Sequence, residues 1–207
     1  MVVVSTNPAT LRDMGTGAEQ GAAPDAEATS DARTAGAQPA ATGGDDPRWL
    51  DDDELDAWIR FIAVVELLPG VLDSQLRRDS NLSHFEYLVL AMLSEADDRT
   101  LRMTALAART NATLARLSHV VSRLEGRGLV GRAQCPDDGR ATDVRLTDAG
   151  WDVVVGAAPG HVATVRANVL DALTRDQVRE LGEIAGAILT RVDPEGRMVH
   201  PRTRRTA

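Results

Sequence analysis

The strongest constraint on the fold is a change of hydrophobic period near Gly128. Before this residue, apolar side chains recur at helical spacing in two stretches, 104–109 and 113–126, which an Asn111-Ala112 turn separates. After it, the segments LVGRAQC and ATDVRL alternate as strands on either side of PDDG. Two short helices joined by a turn and followed at once by a two-stranded hairpin predict a winged helix-turn-helix.

Further helices are predicted on both sides of this unit. A long first helix has apolar residues at helical spacing, and a second begins at a capping box, Ser83–Glu86. Thr147 is expected to cap a fifth helix, and the capping box Thr174–Gln177 opens a sixth. Pro69-Gly70 is expected to kink or split the first helix, and Pro159-Gly160 to interrupt the fifth early.

The predicted fold class is therefore mainly α with a small β-wing, in one domain over residues 48–193. The winged helix-turn-helix spans about 81–147. The terminal helices, over about 49–78 and 148–192, are too apolar to stand alone on a surface, so we expect them to pack against a second copy of the chain.

The two ends of the chain are predicted to be unstructured. Residues 1–47 are rich in Ala, Gly, Thr, Asp and Glu and contain four prolines, so few side chains there could anchor a core. This composition predicts a disordered N-terminal tail, and residues 194–207 are expected to form a flexible C-terminal tail.

Composition also bears on the compartment. No uninterrupted apolar run approaches the roughly 18 residues of a membrane span. The first residues lack the basic end and the long apolar stretch of a secretory signal. The single cysteine, Cys135, excludes an internal disulfide framework. These features predict a cytoplasmic protein that does not contact a membrane.

Charge is unevenly distributed along the chain. The formal net charge is −8, which by itself argues against a nucleic-acid partner. Between Arg99 and Arg145, however, nine arginines stand against four acidic residues. A local basic patch matters more for nucleic-acid binding than the total charge.

One side of the helix over 113–126 has the composition of a DNA-reading surface. The apolar side would anchor the helix, and the opposite side carries no acidic residue before Glu125. Small residues permit close approach to the major groove, and arginine can bind guanine O6 and N7. An ordinary solvated face is the alternative, although such faces usually carry some acid. The candidate DNA contacts on this helix are Thr113, Ala115, Arg116, Ser118, His119, Ser122 and Arg123.

The hairpin supplies further candidates. Its tip, PDDGR at 136–140, is flanked by Arg132 and Arg145. An arginine at a wing tip can enter a narrow minor groove, where the negative potential is concentrated. The three candidate DNA contacts here are Arg132, Asp138 and Arg140, with Asp138 placed to orient Arg140. A polar turn built from Asp and Gly is the alternative.

The run from Leu106 to Gly150 closely resembles the MarR family of bacterial regulators. The matching pieces are LA at 106–107, RLE at 123–125 with GL at 128–129, then Arg132, the DGR wing tip and LT..G ending at Gly150. With the helical flanks, the resemblance covers about Trp49 to Val192. One departure is Gly139, where many members carry a second arginine, so each wing has one charge fewer.

The resemblance implies a two-fold dimer that binds double-stranded DNA. The first, fifth and sixth helices would form the dimer base, and the two winged domains would recognise a pseudo-palindromic operator. It further implies a repressor that a small phenolic or otherwise lipophilic ligand often releases. Two alternatives stay open: a ligand-blind or architectural DNA-binding regulator and, from a different class, a helical dimerisation or protein-interaction module.

Catalytic and metal chemistry have no support in the sequence. The four histidines are far apart, without metal-ligand spacing. There is no GxSxG elbow, phosphate loop or dinucleotide-binding glycine pattern. We therefore expect no enzymatic activity, no metal and no cofactor.

Overall fold

The computed structural model describes residues 47–135 and 138–198, apart from the side chains of Asp138 and Arg140. The tail predicted at 1–47 and most of the one predicted at 194–207 lie outside these described residues. Within the chain, contacts define a first compact unit that ends at Ala63 and a second that begins at Val64.

Six α-helices, two 3-10 helices of three residues each and three strands make up the described fold. The helices are α1 (Asp52–Ser80), α2 (His84–Ser94), α3 (Met103–Arg109), α4 (Leu114–Gly126), α5 (Asp148–Asn168) and α6 (Arg175–Val192). The strands are β1 (Thr100–Arg102), β2 (Val130–Cys135) and β3 (Asp138–Leu146). This order confirms the predicted fold class, which is mainly α with a small β-wing.

The sheet has one more strand than the sequence predicted. The strand order is β1-β3-β2, and both pairings are antiparallel. The hairpin β2–β3 was predicted, but β1 was not, because three residues are too few to show an alternating pattern. β1 exists because β3 offers it a partner edge, on which Leu101 pairs with Val144.

Side-chain caps mark the N-termini of three helices. Ser83 and Glu86 form the predicted capping box of α2, and Thr174 and Gln177 form that of α6. The Thr147 side chain accepts a hydrogen bond from the Gly150 N–H and caps α5, as predicted. Each cap satisfies N–H groups that the first helical turn leaves without a partner.

The two internal prolines do not divide their helices. α5 continues through Pro159, so its predicted early interruption is wrong. α1 continues through Pro69, which excludes the split, whereas the alternative prediction of a kink stays a prediction. Proline removes one backbone donor and crowds one carbonyl, and a helix of 21 or 29 residues keeps the rest of its hydrogen bonds.

A single core lies in the second unit, between α2, α3, α4 and the sheet. Side chains of Trp151 and Val153, at the start of α5, pack against it. The buried residues are Leu82, Val89, Leu90, Leu93, Leu106, Ala107, Leu117, Val120, Val121, Leu124, Leu129, Val130, Val144, Leu146 and Val154. The core therefore holds α4 by one side and leaves its other side exposed.

The terminal helices bury much less. None of the 18 residues of α6 is buried, and in α5 only Gly150, Val154 and Ala157 are. The segment Asp148–Ala172 is long and apolar enough to cross a membrane by length and composition, with a mean hydropathy of 1.2. It contains no long uninterrupted apolar run, because Asp152 and Arg166 lie within it. One such helix is weak evidence for a membrane span, because helices that are covered in soluble proteins pass the same test.

Gly150 gives a test of how the wing joins α5. A Cβ at this position would lie 2.6 Å from Leu146 Cδ1 and inside contact distance of the Leu129 carbonyl oxygen, so the backbone would have to shift. We expect Gly150→Ala to lower the free energy of unfolding by about 2 kcal/mol or more, measured by urea denaturation at fixed protein concentration.

Gly156→Ala in the same helix is the matched control, because no atom lies within 4 Å of its added Cβ. Here we expect stability unchanged or raised by less than about 1 kcal/mol. A Gly150→Ala protein as stable as its parent would contradict the close packing of α5 on the loop before β2.

Candidate nucleic-acid interface

α4 is held with its polar side towards solvent. Leu117, Val120, Val121 and Leu124 are buried, as predicted. Leu114, predicted on the same apolar side, is instead 51% exposed, because it is the first residue of the helix and lies beyond the core. The predicted contact residues Ala115, Arg116, Ser118, His119, Ser122 and Arg123 are all exposed.

Thr113 has a structural role at the start of this surface. It is the N-cap of α4, and its hydroxyl oxygen accepts a hydrogen bond from the Arg116 N–H at 3.2 Å. The other N–H groups of the first turn lie at a helix N-terminus, which favours an anion such as phosphate.

Arg116 is held by an aromatic ring. Its Cζ atom lies 4.1 Å from the centroid of the Phe85 ring, in cation–π geometry. Phe85 is in the first turn of α2. Its pairing with an arginine on α4 is visible only in three dimensions.

Arg123 interacts with a buried carboxylate. Its Nη2 lies 3.4 Å from Glu86 Oε1, and its side chain remains 53% exposed. Glu86 is buried and accepts hydrogen bonds from both the N–H and the hydroxyl of Ser83, each at 2.8 Å. Burial raises the pKa of Glu86, but the hydrogen bonds from Ser83 and the attraction of Arg123 outweigh it, so the pKa lies below its ordinary value.

Arg132 connects the wing to α4. Its Nη2 donates to the Ser118 carbonyl oxygen at 2.7 Å, and its Nη1 lies 3.6 Å from Glu125 Oε2. The backbone N–H of Arg132 also donates to Glu125 Oε1 at 3.1 Å. With 26% of its side chain exposed, Arg132 fixes β2 against α4 more than it faces solvent.

The wing tip is described only in part. Asp138 and Arg140 begin β3, and their predicted side-chain pairing lies outside the described residues, as do Pro136 and Asp137. Cys135 ends β2 as predicted and is buried, with the Arg102 Nη2 donating to its Sγ at 3.2 Å. The charge in contact with this thiol therefore comes from the last residue of β1.

A groove follows the exposed side of α4. It is open, has a volume of about 510 Å³, and is bordered by the end of α1, the start of α2 and α4. The Asp73 carboxylate at its edge accepts a hydrogen bond from the His84 N–H at 2.8 Å and pairs with Arg77. The lining residues are Asp73, Arg77, Ser83, Phe85, Arg116, His119, Val120 and Arg123.

A second polar cluster lies where α1, α2 and α5 come together in the second unit. The His161 ring lies 4.6 Å from the Tyr87 ring and 6.4 Å from the His84 ring, centroid to centroid. Burial lowers the pKa of His84, and burial together with the neighbouring His84 lowers the pKa of His161. Two buried atoms here, His161 Nδ1 and Gln75 Oε1, have no hydrogen-bond partner. Within the described part of the chain, no three side chains form a cluster that could hold a metal ion.

The chain is similar to proteins of one known family. The chain matches the family model described as MarR family over residues 82–142. The HTH-type transcriptional repressor YetL of Bacillus subtilis (strain 168) is 30% identical over 118 residues, which cover 57% of this chain and 70% of that protein.

Two solved structures from Streptomyces coelicolor are similar over most of their length. Sco3205, a MarR family transcriptional regulator in complex with DNA, is 44% identical with a TM-score of 0.69, covering 73% of this chain and 94% of that one. AbsC, another MarR family transcriptional regulator, is 34% identical with a TM-score of 0.67, covering 72% of this chain and 99% of that one.

The buried carboxylate of Glu86 allows a test by pH. Because the pKa of Glu86 is lowered in the folded chain, its ionised form stabilises the fold above the unfolded-state pKa, and this contribution is lost as the pH falls through the folded-state pKa. We expect Glu86→Gln to destabilise the protein by about 1–2 kcal/mol at neutral pH. In urea denaturation the deficit should stay constant down to about pH 5 and narrow below about pH 4.

Glu95→Gln is the control for this substitution. Glu95 is an exposed carboxylate at the opposite end of the same helix, and we expect its replacement to change stability by less than about 0.5 kcal/mol. If the deficit of Glu86→Gln were the same at every pH, the charge of Glu86 would not be its source.

Proposed function

The chain belongs to the MarR family of transcriptional regulators, and from this premise we propose that it is a homodimeric repressor that binds a pseudo-palindromic operator. The winged helix-turn-helix of about 81–147 would bind DNA, and the helices of about 49–78 and 148–192 would form the dimer. We also propose that the protein acts in the cytoplasm, which is where a DNA-binding regulator would meet its operator. The family consists of regulators and not of enzymes.

The observation that carries this proposal is the exposed side of α4. Four buried apolar residues hold the helix, and its outer side presents arginine, histidine, serine and alanine without an acid before Glu125. Such a surface fits the major groove by shape and charge. The similarity to Sco3205, which was solved in complex with DNA, supports the same assignment.

Two arginines on α4 and one on the neighbouring strand β2 would have different roles. Arg116 has no carboxylate partner among the described residues, so its donors are open to a guanine edge. Arg123 is paired with Glu86, and its exposed part is suited to phosphate. Arg132 would fix the angle of the wing through Ser118 and Glu125. We keep Arg140, oriented by Asp138, as the proposed minor-groove contact on the basis of the sequence alone.

The dimer is supported by the apolar side of α6. Val178, Leu181, Ile184 and Ile188 form a stripe at helical spacing, and each is more than a third exposed in the single chain. An apolar stripe of this length is unfavourable in water unless it is covered. A second copy of the same helix would cover it by symmetry, which is the common arrangement of homodimers.

The polar cluster around His161 favours a ligand-responsive regulator over a ligand-blind one. Gln75 Oε1 and His161 Nδ1 are buried without partners beside the Tyr87 ring, and a polar group of a small lipophilic or phenolic ligand would satisfy them. The two alternatives differ in one observable, which is whether such a molecule, added to the complex, releases the DNA.

Replacing Arg116 tests whether α4 recognises a base sequence. We expect Arg116→Ala to weaken operator binding by about 1–3 kcal/mol for each half-site and to weaken binding to random duplex much less, because an arginine–guanine pair carries discrimination of that size. Fluorescence anisotropy on both duplexes at one salt concentration measures the two affinities.

Arg179→Ala serves as the control, since this exposed arginine on α6 pairs only with Asp176 among the described residues. Its affinity for both duplexes should match the parent. An equal loss on both duplexes for Arg116→Ala would restrict Arg116 to phosphate contacts. If the parent preferred no sequence at all, the protein-interaction alternative would be favoured.

Replacing Ile184 tests the dimer. Ile184 is 59% exposed in the middle of the α6 stripe, and a carboxylate there would have to be buried in the proposed interface. We expect Ile184→Glu to sediment as a 22 kDa species at micromolar concentration, where the parent sediments at twice that mass. Glu183→Gln, at the exposed neighbouring position, should remain dimeric. A parent protein that sediments only at the mass of one chain would refute the dimer.

A further inference from the structure

The first turn of α2 contacts two arginines of α4 in two different ways. Glu86 meets Arg123 with a carboxylate, whereas Phe85 meets Arg116 with the face of a ring. The same turn is fixed by the capping box between Ser83 and Glu86. Both arginines are therefore positioned by one rigid piece of backbone that is not part of the helix-turn-helix itself.

The two kinds of contact have opposite effects on the donors of a guanidinium group. A carboxylate occupies N–H groups and neutralises the charge, which leaves less for a nucleic acid. A ring attracts the guanidinium through its face, and the N–H groups lie in the guanidinium plane, around its edge. A guanidinium held in this way keeps its charge and its bidentate edge for another partner.

Phe85 is itself well anchored. It is partly buried and packs against the core formed by residues such as Val120 and Leu82. Its ring also borders the groove that follows the exposed side of α4. Phe85 is therefore fixed by the core on one side and borders the groove on the other. In this position it can limit the rotamers of Arg116, which is exposed and has no salt bridge among the described residues.

We propose that Phe85 is a positioning residue for sequence recognition, holding Arg116 by its ring face in the orientation that reads a guanine. The inference rests on the proposed function, because it requires α4 to enter the major groove. It adds a specificity determinant that lies outside α4 and outside the wing. Phe85 acts before binding: a guanidinium already oriented loses less side-chain freedom when it meets the base.

The test uses the full-length protein and a duplex that the parent enriches from a random library. A scrambled duplex of the same composition reports nonspecific binding. Affinities of the parent, Phe85→Leu, Phe85→Tyr, Arg116→Ala and the double variant Phe85→Leu/Arg116→Ala are measured by fluorescence anisotropy at one salt concentration. Urea denaturation and sedimentation of each variant report folding and assembly.

We expect Phe85→Leu to lower affinity for the enriched duplex by about two- to fivefold for each half-site, which is the range that an exposed cation–π contact supports, and to leave the scrambled duplex unchanged. Phe85→Tyr, which keeps the ring face, should bind like the parent. In the Arg116→Ala background, Phe85→Leu should have no further effect on affinity.

Other outcomes would overturn the inference and can be told apart. If Arg116→Ala loses specificity but Phe85→Leu does not, the recognition role of α4 stands and the role of Phe85 fails. An equal loss from Phe85→Leu with and without Arg116 would make Phe85 merely structural. If the parent enriches no sequence, specific DNA reading fails, and the inference fails with it.

Discussion

The exposed surface of α4 exists because the opposite side of the helix is buried. Leu117, Val120, Val121 and Leu124 all lie in the core, so the rotation of α4 about its axis is fixed. A different rotation would expose these apolar side chains and bury charged ones, at a cost of several kcal/mol. The polar residues of α4 are therefore held towards solvent by the buried side of the same helix, and none of them is needed to fill the core.

α2 limits the freedom of that surface. An exposed arginine on an isolated helix would sample many rotamers, and each contact it made would carry the entropic cost of selecting one. Glu86 and Phe85 restrict two arginines in advance, one through charge and one through a ring face. The buried Glu86 is tolerable because its oxygens are satisfied by Ser83 and Arg123. Stability and recognition thus depend on the same turn.

The C-terminal helices of the second unit leave apolar surface exposed in a single chain. α6 is amphipathic, and none of its residues is buried. The membrane candidate is α5, but this helix buries Val154 and Ala157 within its own chain, as a helix of a water-soluble fold does. The proposed second chain would cover the exposed stripe of α6, and it would bring two α4 helices to one DNA molecule with a fixed separation.

The features that could be predicted from the sequence are those whose cause lies within a few residues. The caps at Ser83, Thr147 and Thr174 each join a side chain to a backbone N–H three residues on, so a short motif is sufficient to predict them. The apolar side of α4 and the strands β2 and β3 followed from periodicity, which is also local.

Other features depend on residues that are distant in sequence, and these became visible only in the folded chain. β1 forms only against β3, and the partners of Arg116, Arg123 and Arg132 depend on how the helices and the sheet pack. The continuation of α1 and α5 through their prolines could not be predicted from local sequence either. A helix continues past a proline when its remaining hydrogen bonds and its packing outweigh the single hydrogen bond that the proline removes.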